Sequence, residues 1–116
     1  MKTKRIILVS LVLLTFFSLS LYAKGIELER GCYKGSDPTF AAKVDGAGGK
    51  RISISFYKSF KDEYHRSYRL MGQIKKGKFT DIDPNGKKII LLVISPTEFL
   101  DTSTGIVYKL DKNLRL

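Results

Sequence analysis

From residue 24 onward, apolar and polar positions alternate in short runs separated by turn-forming clusters. Ile52, Ile54 and Phe56 alternate with Ser53, Ser55 and Tyr57, the period-2 pattern of a half-buried strand. A longer run has Tyr64, Arg66, Tyr68, Leu70, Gly72 and Ile74 on one face and His65, Ser67, Arg69, Met71 and Gln73 on the other. Ile26, Leu28 and Cys32 mark a first strand face, and Ile106, Tyr108 and Leu110 a last one. Ile89 to Ile94 is the one continuous apolar run and reads as the most buried strand. It pairs with Phe79 to Ile82 across Asp83-Pro84-Asn85-Gly86, a strong hairpin signal. No segment of ten residues carries a clean period of 3.6. A single helical turn around Lys58 to Glu63 is the only helical expectation.

Six clusters punctuate these runs: residues 35–38, 45–49, 75–77, 83–86, 95–97 and 101–105. Gly supplies positive φ there, Pro presets φ, and Asp or Asn bond their own backbone. Seven or eight short strands joined this way predict an all-β, single-domain antiparallel meander. It is expected to be a closed or nearly closed barrel, with an OB-like barrel or a sandwich as alternatives.

Residues 1–23 break the pattern. Lys2, Lys4 and Arg5 precede the apolar stretch Ile6 to Leu14, and a more polar segment ends at Ala23. These are the parts of a secretory signal peptide cut after Ala23, which leaves a β domain over residues 24–116. An uncleaved anchor is the competing reading, although Ile6 to Tyr22 lies at the short end of what spans a bilayer. Lipidation at Cys32 fits poorly, because Glu29-Arg30-Gly31 and other charges separate it from the apolar stretch. The expected location is a bacterial periplasm or the extracellular space. There the lone Cys32 is either buried or available for an intermolecular bridge. Burial is the preferred reading.

Charge then localises the interest. The chain has 21 Lys and Arg, of which Lys2, Lys4 and Arg5 lie in the signal segment, so 18 remain against 11 acids, a net +7. Residues 50–78 carry nine of those cations against Asp62 and Glu63 alone. Rings interleave with them, and the candidate anion- or partner-binding residues are Tyr57, Lys58, Lys61, His65, Arg66, Arg69, Lys75, Lys76 and Lys78. In the cytoplasm cations and rings together would suggest nucleic acid. Export disfavours that partner and favours an anionic envelope polymer, a lipid headgroup or an acidic protein. The bland alternative is a solvated face that aids solubility.

Other chemistry is thinly represented. Asp81, Asp83, Asn85 and Gly86 match the first half of a calcium loop, but the position of the closing Glu is Leu92. His65 is the sole histidine, and no G-x-S-x-G elbow occurs. No cofactor, metal or catalytic set is therefore expected. The spacing Gly31-x-Tyr33-x-Gly35, then Asn85-Gly86-Lys87-Lys88-Ile89, then Gly105-x-x-Tyr108-x-Leu110 resembles short lipocalin-like envelope domains. That resemblance implies an architecture and no activity, and it assigns no family. The leading expectation is an exported non-enzymatic binding module. An exported inhibitor or immunity-type protein and an OB-type oligosaccharide or oligonucleotide binder are the alternatives.

Overall fold

The computed structural model describes residues 27–116. The segment read as a signal peptide, and Ile26 with it, lies outside the described residues. Nine strands form one antiparallel sheet: β1 (Gly31–Gly35), β2 (Phe40–Gly46), β3 (Ile52–Phe60), β4 (Glu63–Gly72), β5 (Ile74–Lys75), β6 (Lys78–Ile82), β7 (Lys88–Ser95), β8 (Glu98–Asp101) and β9 (Ile106–Leu110). Their order is β4-β3-β2-β1-β9-β8-β7-β6-β5, which is an up-and-down meander curled into a half-barrel. A five-stranded OB barrel and a two-sheet sandwich are thus not the arrangement. Among the described residues no helix is long and apolar enough to cross a membrane.

The meander joins its first and last strands, β1 and β9, through the pairs Tyr33↔Leu110, Lys34↔Lys109 and Gly35↔Tyr108. The opening falls instead between β4 and β6. Gln73 interrupts the run there, so β5 keeps two residues, paired as Ile74↔Phe79 and Lys75↔Lys78. Asp81 latches this seam. Its Oδ2 accepts the Met71 N–H at 2.8 Å and its Oδ1 accepts the Ile82 N–H at 2.8 Å.

The concave side holds the core. Tyr33, Val44, Ile54, Phe56, Leu70, Phe79, Leu91, Val93, Phe99 and Tyr108 are buried together. Phe99 is its hub, with ring centroids 5.3 Å from Tyr33, 5.0 Å from Tyr108 and 6.4 Å from Phe56. Burial raises the phenol pKa of Tyr33 and Tyr108, with smaller pushes from Glu29 and Asp101 respectively. It raises that of Tyr68 to about 12, with Asp101 and Asp83 adding to the effect. The Tyr33 hydroxyl is satisfied by donating to the Glu29 carbonyl at 2.6 Å.

Several local expectations change. The helical turn around Lys58 to Glu63 is instead a two-residue hairpin turn, with Phe60 opposite Glu63 and both Lys61 and Asp62 at positive φ (52° and 63°). Strand β4 does not keep one alternation. Phe56 and Tyr57 are adjacent, yet they face Tyr68 and Arg66, so Ser67 is bulged out. Tyr64 and Arg66 are thereby moved off the face of Tyr68 and Leu70, and His65 is moved onto it. The expected first-strand face is also broken. Gly31, at φ 143°, separates the buried Leu28 from Tyr33, while Cys32 sits half-buried on the opposite side. In β7, Ile89, Leu91 and Val93 face the core, whereas Ile90, Leu92 and Ile94 are half-buried on the convex side. The β6–β7 hairpin forms as expected.

Candidate anion-binding surface

The convex side of the sheet assembles cations that are far apart in sequence. Register places Cys32, Lys43, Ser55 and Arg69 in one row across β1 to β4. The adjacent row is Lys109, Lys34, Ala41, Tyr57 and Arg66. Five cations from four strands therefore share with Tyr57 a face about 20 Å wide across five strands, at the ordinary strand spacing of about 4.8 Å. The floor is small: Ala41, Ser53 and Ser55 are buried although they point away from the core. Long neighbours lie over them, since a Lys or Arg stem covers surface while its charge stays wet. Acids stand at its margin: Glu98 in register with Lys109, Asp111 beside Lys34 and Lys109, and Asp45 two positions along β2 from Lys43.

The nine residues picked out by sequence do not form one face. Tyr57, Arg66 and Arg69 belong to the convex surface just described. Lys58, Lys61 and His65 lie on the projecting β3–β4 hairpin, on the concave side or at its tip. Lys58 Nζ sits 5.9 Å from the Phe40 ring centroid and Lys61 Nζ 5.4 Å from that of Phe60. Both are within cation–π range. Phe60 itself is 63% exposed. Lys75 and Lys78 line a separate cleft at the seam, and Lys76 occupies the turn between them at φ 52°.

Sequence reasoning missed Lys34, Lys43 and Lys109, which complete the convex face. Each stands alone in its own segment, and the signal available was the alternation of β1, β2 and β9, read together with pairing that only the fold supplies. The half calcium pattern resolves into turn chemistry. Asp83 Oδ1 accepts the N–H groups of Asn85 and Lys87, both at 2.9 Å, and Asp81 is engaged at the seam. Asp101 is buried, and its Oδ1 accepts from the Ser103 N–H at 3.0 Å and the Ser103 hydroxyl at 2.7 Å, which fixes the β8–β9 turn.

The fold and surface together define a small all-β half-barrel with a filled interior and a cationic convex face. In comparisons with known proteins the chain matches no protein family, no curated protein and no solved structure.

Proposed function

We propose that this protein is an exported, non-enzymatic binding module that engages an anionic polymer of the cell envelope. The observation that carries the reading is the register of Lys34, Lys43, Arg66, Arg69 and Lys109 around Tyr57. A rigid sheet holds these charges at fixed spacing, so a polyanion gains several ion contacts without having to order the protein first. The aromatic interior supports the same conclusion, because a packed core leaves the outside as the recognition surface. The signal-like residues 1–23 supply the compartment in this reading.

Retention on an immobilised anionic polysaccharide tests it. Changing Lys34, Lys43, Arg66 and Arg69 to Ser should lower the eluting salt concentration and reduce the slope of log affinity on log salt by up to about four units, one per lost contact. A control with Lys50, Lys87, Lys88 and Lys112 changed to Ser has the same net charge. Equal retention of the two variants would remove the convex face as the site.

A second reading has one observation in its favour. The exposed Phe60 at the tip of a projecting hairpin suits insertion into a partner's cleft, as an inhibitor or immunity-type protein would require. Loss of a stoichiometric, salt-resistant protein partner on Phe60→Ser would favour it over the polymer.

A further inference from the structure

The seam between β4 and β6 leaves a second cationic feature that the convex face does not include. On its outer side a cleft of about 450 Å³ is lined by Arg51, Gln73, Lys75, Lys78 and Thr80. Three of these five are cations, and no carboxylate lines the cleft. Asp81, the nearest acid in sequence, has both oxygens engaged by the Met71 and Ile82 N–H groups.

The arrangement is unfavourable for the protein alone. Lys75, at the end of the two-residue β5, and Lys78, at the start of β6, are direct cross-strand partners, and like charges placed opposite one another destabilise a sheet. Lys76 adds a third cation in the turn between them, at a positive φ that lysine rarely adopts. Arg51, immediately before β3, brings a fourth charge. Broken local rules of this kind are what functional sites show.

We propose that this cleft binds a phosphate monoester. A guanidinium fork from Arg51 and two ammonium groups, supplemented by the Gln73 amide and the Thr80 hydroxyl, offer enough donors for three phosphate oxygens. A group carrying close to two negative charges matches such a cluster better than a carboxylate or a phosphodiester does. The open mouth admits a terminal phosphate while the rest of the molecule stays outside. The site is independent of the reading of the convex face. A free phosphate ester and a lipid phosphomonoester headgroup both present this chemistry.

Glycerol 3-phosphate titrated into the isotopically labelled protein, followed by backbone amide shifts, provides the test. Saturable shifts centred on Gly77, Lys78 and Thr80 are expected. Arg51→Lys, which keeps the charge and loses the fork, should weaken binding about tenfold. Thr80→Val should weaken it several-fold, whereas Lys112→Ser should leave it unchanged. All these side chains are exposed, so the unperturbed remainder of the spectrum reports an intact fold. A second arm uses vesicles containing phosphatidic acid against vesicles of phosphatidylglycerol, whose phosphate is a diester. Binding in the soluble arm, the phosphatidic acid arm or both supports the site and identifies the source. Non-saturating shifts, equal shifts from the soluble diester glycerophosphoglycerol, or wild-type affinity in Arg51→Gln would overturn it.

Discussion

Phe99→Ala asks whether the concave side is a packed core or a hollow that could hold a ligand. Phe99 is fully buried and sits between Tyr33, Phe56 and Tyr108, with centroid distances of 5.3, 6.4 and 5.0 Å. In a filled interior, removing the ring costs its transfer free energy and leaves a cavity that the sheet cannot close, about 3–5 kcal/mol in all. Three aromatic contacts are lost with it, each worth about 0.5–1.5 kcal/mol beyond burial, which places the cost in the upper part of that range. A domain of this size has a stability of about 5–13 kcal/mol, so the variant should remain folded only marginally. In urea, with a slope of about 1–2 kcal/mol/M, the midpoint should fall by roughly 2–4 M with little change in slope. Phe99→Leu should recover much of the loss. A Phe99→Ala midpoint within about 0.5 M of wild type would refute the packed interior and return attention to a ligand inside the half-barrel.

Two further outcomes follow from the seam and the buried phenols. Asp81→Ala removes the acceptor of the Met71 N–H, and should cost about 1–2 kcal/mol. Faster hydrogen exchange at the Met71 amide would locate the loss at the seam, and unchanged exchange would show that Asp81 does not hold it. Tyr68 ionises only near pH 12 in the fold, against about 10 for a free phenol. Its raised value therefore gives stability that is complete below about pH 10 and lost as pH rises from there through 12. Melting temperature should hold between pH 7 and 9, decline above about 10, and decline less in Tyr68→Phe; identical alkaline profiles would remove Tyr68 as a contributor.

Much of this protein is legible before folding, and the limits have physical causes. Strands β6 and β9 announce themselves because one face is buried and the other wetter, β3 because isoleucine and phenylalanine alternate with serine and tyrosine, and β7 because it is a continuous apolar run. Strands β2 and β8 escape a sequence reading. One contains two alanines and the other is four residues bounded by acids, so neither has a local apolar signature. The bulge at Ser67 is silent as well: it is set by pairing with β3, yet it decides which side of the sheet receives Arg66 and His65.

The same division runs through the candidate sites. Sequence alone determined that the domain is antiparallel β, that its charge is regional, and that residues 50–78 carry most of it. Only the tertiary structure decided that those charges separate into a hairpin arm, a seam cleft and part of a convex face. Lys34, Lys43 and Lys109 complete that face because antiparallel pairing carries residues many positions apart to within a strand spacing of one another. Charge content is a property of the chain, but charge geometry is a property of register.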